Sequence, residues 1–280
     1  MKSPLRKRLP RELKSEFGKY LVVFIMMAIT IGFVSGFLVA DGSMLRAYDD
    51  SFQKYNIEDG YFQTKKKLTP AQKEDIEKSD VKVYENFYIE QKLTNGSTIR
   101  FFKNRKEVDK VCLMNGKMPK KSGEIAVDRM YADNNELKVG DTVKSRKKTF
   151  RITGLVALSD YSALFQNNND TMFDAVKFGV AIVTDKDFEA LNQVKVQYNY
   201  AWIYDKKPAT EKKEKKMAED LMEDMADVVT IESFVPQYQN QSIHFTGDDM
   251  GSDRAMIVML LYIVMAILAF VFGITISNTI

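Results

Sequence analysis

Two stretches of the chain carry no charge: residues 20–40 (YLVVFIMMAITIGFVSGFLVA) and residues 255–280, whose apolar part ends near Ile276. As a helix, the first would be about 31 Å long, enough to cross the hydrocarbon core of a bilayer. Buried core helices are the plain alternative, but apolar runs beyond ~18 residues favour membrane spans. The first run exceeds the ~7–15 residues of a signal-peptide core, and Leu38-Val39-Ala40 is a poor cleavage site, so an uncleaved anchor is expected. The pattern predicts a segment 1–19, a transmembrane helix over 20–40, an extracytoplasmic domain over 41–254 and a transmembrane helix over 255–280.

Between the apolar runs the periodicities are short and mixed. Thr69-Pro70-Ala71-Gln72 has the capping-box form and opens a helix to about Lys78. Val81, Val83, Phe87, Ile89 and Leu93 alternate as one half-buried strand, followed by the hairpin signal Asn95-Gly96 and a return strand over 98–102. Residues 179–183 (GVAIV) read as a buried strand and Thr184 as the cap of a short helix through Leu191. Residues 198–204 and 228–235 read as strands. Pro208 is read as the start of a helix to about Ala226, with Met217, Leu221 and Met225 on one face. The middle segment, about 110–160, is rich in turns and strands, and residues 159–177 read as a polar, mobile loop. The fold class expected is a membrane protein, α+β: two transmembrane helices flanking a mixed α/β extracytoplasmic domain with an inserted β-rich subdomain. Its α/β layer is assigned to 57–105 and 178–235, and its insert to about 110–160.

Charge adds a direction. Residues 1–19 carry Lys2, Arg6, Lys7, Arg8, Arg11, Lys14 and Lys19 against Glu12 and Glu16. The remaining 34 basic and 36 acidic residues nearly cancel, so this is no general nucleic-acid binder. The positive-inside rule places residues 1–19 in the cytoplasm and 41–254 outside, in a plasma (inner) membrane protein with more than one pass. Leu13, Phe17 and Leu21 recur every fourth residue among those cations. Two readings stay open: a basic amphipathic helix on the inner leaflet, or a plain basic anchor. No basic cluster follows the second span before Ile280, and the expectation is the N-terminal portion of a longer membrane protein.

Small residues recur at four-residue spacing in both runs: Ala28, Gly32, Gly36 and Ala40 in the first, Ala269, Gly273 and Ser277 in the second. Such stripes let helix backbones approach closely in lipid. The chain shows little catalytic chemistry. One cysteine, Cys112, excludes an intrachain disulfide scaffold, and one histidine, His244, disfavours histidine-based metal sites and triads. No phosphate-cradling Gly-x-x-x-x-Gly-Lys loop occurs. Asp248, Asp249 and Asp253 lack calcium-loop spacing and read, with His244, as an exposed linker. The run 211–216 reads as a solvated helix face and Trp202 as core. Three glycosylation acceptor patterns start at Asn95, Asn169 and Asn240 and carry meaning only in some sources. No catalytic residue, cofactor or metal ligand is expected.

The middle segment carries an ordered pattern: Gly116-x-Met118-Pro119, Gly123-Glu124-Ile125-Ala126-Val127, Leu137-x-Val139-Gly140-Asp141-x-Val143 and Phe150-x-Ile152-x-Gly154-Leu155-Val156. This resembles the extracytoplasmic domain of FtsX-like and MacB-like ABC transporter permeases. The resemblance is strongest over 116–156 and extends in layout to the basic lead-in and flanking spans. It implies structural roles for Gly116, Pro119, Gly123, Glu124, Gly140, Asp141 and Gly154. It also implies a cytoplasmic ABC ATPase subunit and a second permease copy or homologous half as partners, in the membrane and without nucleic acid. The function implied is coupling of ATP hydrolysis in that partner to movement of an external domain, for export, lipid or lipoprotein release, or signalling across the membrane. Relatives have at least four spans, whereas two are visible here. The alternative is a two-span receptor with an external ligand-binding domain.

Overall fold

The computed structural model describes residues 14–15, 17–145 and 148–277. Most of the basic lead-in, residues 1–13 and 16, lies outside that range, and so does the amphipathic reading of it. The chain divides into two compact units, residues 1–48 with 249–280, and residues 49–248.

The first unit holds the apolar parts of two long helices, α1 (Phe17–Lys54) and α6 (Gln241–Ser277). Each contains a segment of mean hydropathy 2.5, and none of that segment is buried in the chain's own fold. Both are therefore long and apolar enough to cross a membrane. Asp41, just past the first apolar run, is buried, and its carboxylate lies 3.5 Å from the Arg254 guanidinium at the start of the second run.

The second unit is a mixed α/β domain. Among the described residues it contains β1 (Gly60–Thr64), α2 (Pro70–Glu77), β2 (Val81–Glu85), β3 (Tyr88–Lys92), β4 (Thr98–Lys103), β5 (Val111–Gly116), β6 (Glu124–Asp128) and α3 (Arg129–Asn134). There follow β7 (Thr142–Lys144), β8 (Thr149–Leu158), β9 (Phe178–Val183), α4 (Asp185–Ala190), β10 (Val196–Tyr204), α5 (Glu211–Val228) and β11 (Ile231–Pro236). The sheet runs β11-β1-β10-β3-β4-β9-β6-β8-β5, with β2 also on β10 and β7 on β8. The β4–β9 and β6–β8 pairs are parallel, and the other pairs are antiparallel.

Strand β10 joins two cores. Its C-terminal half pairs with β2 and its N-terminal end with β3. One core packs α2 and α5 on β1, β2 and β10 through Phe62, Ile76, Val83, Trp202, Leu221 and Met225. The other is built on β3, β4, β6, β8 and β9, around Ile99, Phe101, Ile125, Phe150, Ile152 and Ile182. The strands of 57–105 and 178–235 thus contribute to both cores. β3, β4 and β9 share their core with the inserted strands, because β9 is buried along its whole length and pairs with β4 on one side and β6 on the other.

Four local expectations need correction. The single strand over 81–93 is two strands, broken where Asn86 turns its amide to the Asn199 carbonyl at 2.9 Å and its side chain into a buried polar cluster. The long helix starts at Glu211 rather than Pro208, because Thr210 Oγ1 accepts from the Lys213 amide and caps it. The loop 159–177 is anchored: Ala163, Leu164 and Phe165 are buried, and Phe165 packs on Phe173 and Phe245. His244 and Asp248 to Asp253 lie in α6, not in a linker, and His244 is half-buried with its ring 6.2 Å from Phe52. Helix α3 was not anticipated at all. Its cap, Asp128, accepts from the Met130 and Tyr131 amides, and burial holds its carboxyl up at about 6.

Candidate functional site

The motif of the middle segment assembles as turn chemistry. Gly116 ends β5 at φ +76°, where a Cβ would lie 2.3 Å from the Thr153 carbonyl oxygen. Gly154 faces it, and a Cβ there would lie 2.6 Å from the Lys117 carbonyl oxygen. These two glycines let β5 and β8 approach at the end of their ladder. Glu124 accepts from the amides of Lys120 and Lys121 at 2.8 and 2.9 Å, which lowers its carboxyl and closes the Pro119–Gly123 turn. Gly123 (φ +89°) donates its amide to Asp187, which also takes Ser122 Oγ and Lys148. Gly140 (φ +107°) and Asp141 form the next turn, with Asp141 accepting from the Lys138 amide at 2.8 Å. No reactive constellation gathers among these described residues.

The small-residue stripes lie in α1 and α6. A Cβ on Gly32, Gly36 or Gly273 would meet no atom within 4 Å, and Ala28, Ala40 and Ala269 are exposed within the chain.

The built polar site of the domain was not found by sequence reasoning. It is a cavity of about 360 Å³ on the face of β1, β10 and β11 opposite α2 and α5. Alternation along β1 puts Tyr61 and Gln63 toward it, while Phe62 points to the core. The loop after β8 covers it. Arg100 of β4 holds that loop: it donates to Glu90 at 2.6 and 3.0 Å, to the Tyr161 hydroxyl at 2.6 Å and to the Gln166 carbonyl at 2.8 Å. Its guanidinium lies 4.1 Å from the centre of the Tyr88 ring.

One end of the cavity is a buried charge cluster. Arg105 donates to both oxygens of Asp160 at 2.7 and 2.8 Å, with the two side chains 6% and 7% exposed. Asp109 accepts from the Glu58 amide at 2.9 Å and from Asn86 at 3.2 Å. Asn240 Nδ2 donates to Glu58 Oε1 at 3.3 Å, whereas Glu58 Oε2 is buried without a partner. Three carboxyl groups thus surround one guanidinium. Burial, and then the neighbouring Asp109 and Asp160, push the Glu58 carboxyl well above the usual range. Burial, then Asp160, push Asp109 up to about 7. No feature of the sequence marks this cluster, since Arg105 and Asp160 are 55 positions apart and Glu58 and Asp109 are 51.

The sign of the pH dependence follows. A carboxyl raised in the folded state binds its proton more tightly there than in the unfolded chain. Its contribution is fully present below the ordinary carboxylate range and declines as pH rises towards about 7. Glu58→Gln imitates the protonated form. We expect denaturant titrations to show the variant more stable than wild type at pH 8, by at least about 1 kcal/mol, with the gap closing towards pH 4. A constant gap across that range would contradict a raised Glu58 carboxyl.

No family model and no curated protein sequence matches the chain. Solved structures similar to it include two extracytoplasmic domains. One is the extracellular domain of the noncanonic ABC-type transporter YknZ from Gram-positive bacteria, at 12% identity over 62% of this chain and 98% of that one, with a TM-score of 0.32. The other is the periplasmic region of MacB from Actinobacillus actinomycetemcomitans, at 14% identity over 62% and 87% of the two chains, also with a TM-score of 0.32. Both of these neighbours are extracytoplasmic domains.

Proposed function

We propose that the chain is part of an ABC transporter permease subunit whose external domain moves when a separate cytoplasmic ATPase hydrolyses ATP. One observation carries the reading. The four-part motif over 116–156 is a set of turns that fixes the β5–β8 unit, inside a domain bracketed in sequence by two apolar helices. That combination suits a mechanical role, in which this chain makes and breaks no covalent bond.

In this reading residues 1–19 are cytoplasmic and the α/β domain is extracytoplasmic, because the Lys/Arg excess precedes the first span. The test is labelling of intact cells with a membrane-impermeant maleimide, on a Cys112→Ser background. Val194, 94% exposed in the domain, is the external probe position. Val194→Cys is expected to label in intact cells and Lys7→Cys only after permeabilisation. The reverse pattern would sink the orientation, and the permease reading with it.

A further inference from the structure

We propose that the cavity under the loop after β8 binds a small organic molecule through a primary ammonium group, with the Glu58 carboxylate as its counter-ion. The inference rests on the cavity alone and does not depend on the transport reading.

The first argument is the balance of donors and acceptors. Glu58 is 2% exposed and Asn199 is 7% exposed, and both line the cavity. Glu58 Oε2 and Asn199 Oδ1 are each buried with no hydrogen-bond partner. Buried acceptors left unpaired are destabilising, the more so when charged. The strong donors around them are already committed. Arg100 serves Glu90, Tyr161 and the Gln166 carbonyl; Asn240 Nδ2 serves Glu58 Oε1; Asn168 Nδ2 serves the Gln239 carbonyl. What the cavity still requires is N–H donors, and an anionic ligand would bring further acceptors.

The second argument is charge. Behind Glu58 stand Asp109 and Asp160 with Arg105 as their one guanidinium, while Arg100 is matched by Glu90. The other titratable groups on the lining are the neutral hydroxyls of Tyr61, Tyr88 and Tyr161. The segments from β11 and from the start of α6 contribute Ser233, Gln239, Asn240 and Ser242, none of which titrates. The acids therefore outnumber the cations at this end, and a cation entering there takes the place of the proton bound by the raised Glu58 carboxyl.

A metal ion is a poorer fit than an ammonium. Asp160 is occupied by Arg105 and Asp109 by an amide and Asn86. Among the described residues no group of three His, Cys, Asp or Glu side chains is placed to hold a metal. The volume of about 360 Å³ lies in the range of small-ligand pockets.

The test uses the full chain purified in detergent and calorimetric titration with putrescine, D-glucosamine and ethanolamine. N-acetyl-D-glucosamine, choline and calcium chloride are the controls, lacking respectively the charge, the N–H donors and the organic group. Saturable binding of at least one primary amine, and of none of the controls, is expected. Glu58→Gln should weaken that binding by about tenfold or more, the loss of one charge-assisted hydrogen bond. Asn199→Ala should weaken it by about threefold or more, and gives a second readout should Glu58→Gln fail to fold. Because the ammonium replaces a proton, the affinity for putrescine or ethanolamine, which stay protonated at pH 8, should be higher at pH 8 than at pH 6. Failure of all three amines to bind, binding of choline or calcium as tightly as the amines, or binding unchanged in both variants would overturn the proposal.

Discussion

Gly116→Val is expected to unfold the β5–β8 unit, at a cost above about 3 kcal/mol. Two effects add. The residue sits at φ +76°, a left-handed conformation that costs an L-residue about 1–2 kcal/mol and a β-branched one more. A Cβ there also meets the Thr153 carbonyl oxygen at 2.3 Å and the Gly154 Cα at 3.0 Å, both backbone atoms that cannot swing aside. Gly96→Ala isolates the first effect. Gly96 lies at φ +90° in the β3–β4 hairpin with nothing within 4 Å, so only the backbone term, about 1 kcal/mol, applies. Thermal denaturation followed by circular dichroism should separate the two variants clearly. Equal melting temperatures would mean that the close approach of β5 and β8 is not what the motif glycines protect.

The second large effect is expected at Arg105. Arg105→Met leaves Glu58, Asp109 and Asp160 buried with no guanidinium among them, and the cost of stranding buried charge is about 3–5 kcal/mol. An exposed pair gives the contrast. Lys67 and Glu85 are about half exposed, and Lys67→Met should cost less than about 1 kcal/mol. The pairing is tested by adding Asp160→Leu to Arg105→Met. Asp160 Oδ1 and Oδ2 accept from Arg105, so removing both partners should recover more than half of the loss. A double variant no more stable than the single one would show that Arg105 matters through packing on Phe102, 4.8 Å from its guanidinium, rather than through charge.

What the residues announce in advance is local. The capping box at Thr69, the hairpin at Asn95-Gly96, the cap at Thr184 and the apolar runs around 30 and 265 are each a short-range pattern with a short-range physical cause. What they do not announce is which strands share a core. Strands β9 and β4 are parallel neighbours, yet about 80 positions of chain separate them, and a run such as GVAIV fits either layer. The cavity was hidden for the same reason. Glu58, Arg105, Asp109 and Asp160 each sit among turn and loop residues in the sequence, where a charged side chain ordinarily means exposure. The only hint is negative: no helical or strand period placed them outward.

The motif over 116–156 was the legible part of the functional reading, and its residues hold turns rather than substrates. Its glycines and carboxylates fix the backbone at strand junctions, which the proposed mechanical role requires. The most direct test of that role follows movement itself. The protein is placed in nanodiscs with the ABC ATPase that the proposal assigns to it as a partner. An environment-sensitive fluorophore is attached at Val194→Cys on a Cys112→Ser background, a position 94% exposed in the α/β domain. The account predicts a change in emission when ATP and vanadate trap the ATPase, and none with an ATPase variant unable to hydrolyse ATP. An emission signal that stays constant throughout hydrolysis would contradict it.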